Sequence, residues 1–234
     1  MKTDHDIWAH TPPIDSSWYW RKLNSTKELM KEWYSQGRYT LTSEGSYSIT
    51  QSYLAILGQQ QKMKIADLIW TAVAQPKHRF IGWLATLGRL LTKDRMIGMQ
   101  LQVEDINCNL CNEDTLESQD HLFVKCSWIN AVRQELNLWL GQTVQTTGIK
   151  QMLEEVKRKH WKQFKKEVIV AVNIAAVIYH IWRVRNVKIF QGRTVNKAEV
   201  VTQIKREVIE MIDLLKQSKK AQKYRNLVRQ ITCN

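Results

Sequence analysis

Three cysteines and one histidine, Cys108, Cys111, His121 and Cys126, fall within nineteen residues at the spacing C-x2-C-x9-H-x4-C. Thiolate sulfur and imidazole nitrogen are the donors of a closed structural zinc site. Zn2+ has no geometric preference of its own from d electrons and accepts four such ligands tetrahedrally. A C-x-x-C turn brings two sulfurs to one ion, and the later His and Cys complete the set. Four protein ligands leave no position for a reacting water, so such an ion folds its segment rather than catalysing. Two other readings exist: a chance group of reduced thiols, or a redox pair at Cys108 and Cys111. A redox pair closes a strand and opens a helix, whereas INCNLCNED is polar and rich in turn formers, which favours the metal.

No catalytic constellation accompanies these ligands. A two-metal polymerase needs paired aspartates, and the chain contains no Asp-Asp pair. A ribonuclease H needs several converging carboxylates, but Asp213 is the one aspartate in residues 150–234. No Gly-rich phosphate loop, nucleophile elbow or zinc-protease helix motif is present. His78, His160 and His180 read as isolated, solvated or hydrogen-bonded residues. The expectation is a protein without enzymatic activity.

Charge supplies the second signal. Residues 150–234 hold 20 Lys and Arg against 7 Asp and Glu, so the whole net charge of +13 falls in the last third. A field that lopsided suits a polyanion, nucleic acid above all. Candidate contacts are Lys125 and Trp128, a cation and a stacking face beside the cysteine cluster, although Trp128 also reads as a core residue. The segment KRKHWKQFKK adds Lys157, Arg158, Lys159, Lys162, Lys165 and Lys166 around Trp161 and Phe164. It reads equally as a solvated helix face with lysine stems over apolar neighbours.

The elements that must position these residues read as mostly α: a helical body around a small Cys3His zinc module, followed by a long-helix C-terminal region. The pattern divides the chain into a polar segment 1–38, a zinc-binding region 39–141, a linker 142–149 and a basic helical region 150–234. A short helix is expected over Thr26–Ser35, and a small hairpin over Tyr39–Ser48 around Gly45. Ser48 with Gln51 resembles a capping box. Ile65, Leu68, Ile69 and Ala72 predict a helix stopped by Pro76, which also suits the first turn of the next. There Phe80, Ile81, Trp83, Leu84, Leu87 and Leu90 give a broad apolar face. Thr92 is expected to cap a helix through Met99. Trp128, Val132, Leu136, Trp139 and Leu140 predict an amphipathic helix ended by Gly141.

Helix then resumes near Lys150 and is expected to run through the apolar stretch Val168–Trp182 to Gly192. That stretch is fifteen residues long, short of the roughly twenty a membrane span needs, so it reads as a buried helix and no membrane partner is expected. Val201, Ile204, Val208, Met211 and Leu215 have coiled-coil spacing, which raises self-association through residues 195–215. A basic tail follows from Lys216 to Arg229. The polar first thirty residues show no signal peptide, and thiols concentrated in one cluster fit an intracellular, reducing compartment, nuclear or cytoplasmic.

Beyond the ligands, a wider pattern runs through Gly45-x-Tyr47-Ser48, Tyr53, Trp70, Pro76-Lys77, Phe80, Trp83-Leu84, Arg89, Leu91-Thr92 and Asp94-Arg95. It continues in the two cysteines, Glu117-Ser118, His121-Leu122-Phe123 and Cys126. This stretch resembles the zinc-binding domain that follows the reverse transcriptase in plant non-LTR retrotransposons of the LINE type. Ile181-Trp182, Arg185-Asn186 and Phe190 are similar to a segment that often follows in those elements. The resemblance implies a structural Zn2+ on Cys108, Cys111, His121 and Cys126. It also implies a non-catalytic part of a retroelement protein whose partner is RNA or single-stranded DNA.

Overall fold

In the computed structural model, Ser17 and Ser48 start the first two helices by one device. Each hydroxyl accepts the backbone N–H three residues on, from Trp20 and Gln51 respectively. The structure describes residues 8–36, 38–58, 63–111, 113–144 and 147–215, with Gln222 and Arg229; the rest of the expected basic tail lies outside them. Contacts group the chain into two compact units, Met1–Lys62 and Met63–Asn234.

The first unit contains α1 (Trp18–Lys31), a two-stranded antiparallel sheet of β1 (Tyr34–Ser35) and β2 (Arg38–Tyr39), and α2 (Ile49–Leu57). The helix expected from Thr26 instead begins at Trp18. Ser25 and Thr26 do not cap it, because their hydroxyls donate back to the Lys22 carbonyl inside the same helix. The hairpin lies earlier than expected, pairing Tyr34 with Tyr39, and Gly45 at φ +70° instead turns the chain after β2. Its anchor is Tyr39, buried, with its hydroxyl 2.7 Å from Ser52 Oγ and its ring against Tyr34 and Tyr47.

The second unit holds α3 (Ala66–Ile69), α4 (Pro76–Thr86), α5 (Lys93–Gly98), a π-helical turn (His121–Lys125), α6 (Ser127–Leu140) and α7 (Ile149–Arg158). It continues with α8 (Gln163–Val170), a π-helical segment (Ala171–Ala176), α9 (Val177–Gln191) and α10 (Lys197–Leu215). The elements from α8 to α9 form one continuous helix, Gln163–Gln191, against which α3, α4, α6, α7 and α10 pack. Val168 to Ile178 are almost fully buried, with Phe164 and Ile181 extending the same core. By length and composition this helix could cross a membrane, but 83% of its most apolar window is buried by the rest of the chain. Residues expected in a separate C-terminal region therefore share one core with the cysteine module.

Local differences follow from packing. α3 ends at Ile69, well before Pro76, while Pro76 does occupy the first turn of α4. The broad apolar face expected of α4 is covered only in part: Phe80 is exposed, Ile81, Trp83 and Leu84 pack half-buried against the core, and the buried residues of the helix are His78, Gly82, Ala85 and Thr86. The crossing is close, since a Cβ on Gly82 would lie 3.4 Å from the Ala175 Cα of the long helix. Basic helix does not run unbroken from Lys150, because Lys159 and Lys162 have extended backbone and separate α7 from α8. Gly141, in the left-handed region at φ 59°, ends α6 as expected. On α10, Val201, Ile204 and Val208 are buried within the chain, where the helix packs on α6 and the π-helical segment.

Candidate metal centre and nucleic-acid interface

The cysteine cluster is assembled from two local devices. The first is a hairpin in which Asn107 bridges Leu116, Cys108 N donates to Thr115 O at 2.9 Å, and Glu117 N donates to Ile106 O at 2.9 Å. Its tip carries Cys108 and Cys111. The second is the π-helical turn, closed by Cys126 N donating to His121 O at 2.8 Å. An i→i+5 bond stacks residues five apart on one side of the chain, so His121 and Cys126 face the same way. Ser118 Oγ accepts the His121 N–H at 3.0 Å and fixes the entry to that turn.

All four side chains are buried, and their donor atoms lie within 4.8 Å of one another; Cys111 Sγ is 3.2 Å from His121 Nε2. A tetrahedral zinc with Zn–S of about 2.3 Å and Zn–N of about 2.0 Å has edges of about 3.5–3.8 Å, which this group fits. The surroundings act on the three sulfurs in opposite directions. A hydrogen bond from the Cys126 thiol, helped by the N–H groups of Cys111 and Leu110, pulls Cys108 down to about 4. The same bond, with burial, pushes Cys126 up, and burial pushes Cys111 up. Yet the N–H groups of Ile129 and Trp128, at the start of α6, point at Cys126, and that of Glu113 at Cys111. Each sulfur thus has backbone N–H groups directed at it, while burial and mutual repulsion oppose the thiolate form. A shared cation relieves that repulsion.

Residues outside the ligand set lock the two devices to the core. Glu117, fully buried, accepts from Arg185 on α9 through Nη2 at 2.6 Å and Nε at 3.1 Å, and from Lys93 N at 3.3 Å. The Arg185 guanidinium lies 4.8 Å from the centre of the Trp182 ring. Gln119 Nε2 donates to Ala85 O at 2.7 Å on α4. Arg133, wholly buried on α6, donates to Phe123 O at 2.7 Å in the π-helical turn, and burial brings its pKa down to about 10, still charged at neutral pH. Sequence reasoning passed over Arg133, Lys93 and Gln119. It noted Glu117 and Arg185 only as parts of the resemblance, and their opposite charges were the available signal.

The basic candidates divide. Lys125 is exposed and paired with Asp120 at 2.5 Å, while Trp128 is half-buried against the core. Lys157, Arg158 and Lys159 end α7, Lys162 precedes α8, and Lys165 and Lys166 follow in its first turn. Lys159 and Lys165 both lie over the Trp161 ring, 5.9 and 4.9 Å from its centre, and Lys166 Nζ donates to Lys157 O at 2.5 Å. Phe164, expected to interleave with these charges, is instead buried in the core. Lys157 also donates to Lys64 O.

His78 and His180 are not the isolated histidines their sequence positions suggest. They converge on Glu207 of α10, His78 Nε2 at 2.7 Å and His180 Nε2 at 3.0 Å from the same oxygen, Oε2. Burial draws His78 down to about 4 and lowers His180 as well, so both rings are neutral near pH 7. Burial would raise Glu207, but hydrogen bonds from Gln203, Lys77 and His180 outweigh it and hold the carboxyl at about 2.

No curated protein and no solved structure matches this chain. Residues 47–132, which include Cys108, Cys111, His121 and Cys126, do match the family described as zinc-binding in reverse transcriptase.

Proposed function

We propose that the chain is a non-catalytic zinc protein resembling the C-terminal part of a plant LINE-type reverse transcriptase, and that it binds RNA or single-stranded DNA inside the cell. Zn2+ on Cys108, Cys111, His121 and Cys126 has a structural role, tying the hairpin to the start of α6. The observation that carries the binding role is the corner between α7 and α8. There Lys159 and Lys165 flank the half-buried Trp161, with Lys157, Arg158 and Lys162 exposed beside it. Lysines can neutralise phosphates while the ring edge meets a base, a pairing that does not depend on sequence. Lys125 and Trp128 extend the same chemistry beside the metal centre.

Binding of a fluorescent single-stranded oligonucleotide at several salt concentrations tests the reading. Six neutralised phosphates give a slope of log affinity against log salt of about −4. A flat salt response, or equal binding by a chain with Lys159→Gln, Lys162→Gln and Lys165→Gln together, rejects it.

A further inference from the structure

The histidine and carboxylate cluster on α4, α9 and α10 has no part in the thiolate centre. We propose that His78, His180 and Glu207 form a second metal site, for a borderline divalent cation such as Zn2+.

Three observations carry this assignment. First, one ring nitrogen each of His78 and His180 and a Glu207 oxygen all lie within 4.8 Å of one another, and all three residues are buried. Two imidazoles and one carboxylate are a set that binds zinc and leaves a position for water. Second, a hydrogen-bonded trio does not account for His78. Its Nε2 is 2.7 Å from Glu207 Oε2, an oxygen it shares with His180, yet no well-formed hydrogen bond satisfies it among the described residues. A buried ring nitrogen left so is costly. Both Nε2 atoms crowd one oxygen at 2.7 and 3.0 Å, closer than the roughly 3.3 Å between N and O ligands on a tetrahedral ion with bonds of about 2.0 Å, so the site needs only to open slightly.

Third, the supporting groups are those a ligating carboxylate uses. Glu207 Oε1 accepts from Lys77 Nζ at 3.0 Å and Gln203 Nε2 at 2.8 Å, which leaves Oε2 for the ion. Tyr179 packs on the His78 ring at 4.8 Å and orients it. His180 and Gln203 also line a cavity of about 230 Å³ with Arg183, Arg193 and Glu199, which gives an ion and its water a route inward.

Metal content of the full-length chain, measured after dialysis against buffered Zn2+, tests the site. Two equivalents are expected for the unaltered protein, and one each for His180→Gln and Glu207→Gln, with the helical circular dichroism unchanged. As a measurement independent of any variant, Co2+ is added to protein whose thiolate site is already filled with Zn2+. Weak ligand-field absorption without sulfur charge transfer, saturating at one equivalent, is the supporting result. A single equivalent in the unaltered protein together with no Co2+ absorption overturns the proposal and leaves the trio a proton-sharing network. Loss of the thiolate zinc instead shows as a missing charge-transfer band when Co2+ is offered to the metal-free chain, so the two sites are scored separately.

Discussion

The two buried ligand clusters differ in how they are built. The thiolate cluster draws its donors from nineteen consecutive residues and is shaped by a hairpin and one π-helical turn. The imidazole and carboxylate cluster draws on residues 78, 180 and 207, and exists only when α4, α9 and α10 have packed. The first can form before its surroundings, and the second is a product of them. A cation at the first should stabilise the local module; at the second it should report on the finished core.

Loss of the local cluster is expected to have the largest effect. Cys111→Ser should release the bound metal and destabilise the second unit by about 4–5 kcal/mol, read from the denaturant midpoint of the zinc-loaded protein. An unchanged midpoint would mean that the hairpin folds without an ion.

Next comes the buried ion pair between the hairpin and the long helix. Glu117→Gln or Arg185→Met alone should cost about 3–5 kcal/mol, because either leaves one charge stranded. The double variant should recover part of that loss in a double-mutant cycle. Additive losses would show that the hairpin and α9 are not coupled through this pair.

Glu207→Gln should be milder, about 1–3 kcal/mol in metal-free buffer, since the amide keeps some hydrogen bonds but leaves Lys77 unneutralised at its half-exposed position. In the zinc-loaded variant the thiolate metal should stay bound. Its loss in this variant would mean that the distant cluster controls the local one. The smallest stability change is expected at the basic corner. Lys159→Gln with Lys165→Gln should leave stability within about 0.5 kcal/mol and flatten the salt slope for single strands by about 1.4.

The same contrast explains what the sequence made legible. The grouping of Cys108, Cys111, His121 and Cys126, the Ser48 cap, the Pro76 start and the Gly141 stop each rest on residues close in sequence, and each is found in the structure. What was hidden depends on partners far along the chain. His78 and His180 read as singletons because Glu207 lies well beyond either. α4 reads as presenting a broad apolar face to the core, yet Phe80 is exposed and Gly82 faces the long helix, which passes too close for a large side chain. The periodicity of α10 holds at Val201, Ile204 and Val208, with Ile212 rather than Met211 buried beyond them, but a period cannot say whether its covering comes from another chain or, as for these residues, from within the same one.

The long helix Gln163–Gln191 lies wholly outside the matched stretch 47–132, yet it is the surface on which α4 and the π-helical turn come to rest. During synthesis the cysteine module leaves the ribosome first and waits for its scaffold. A fragment cut to residues 63–141 should therefore take up its ion while remaining sticky and short of tertiary order, and adding the separate piece 149–215 should rescue it. A portable motif in sequence is, in this chain, half of an obligatory pair.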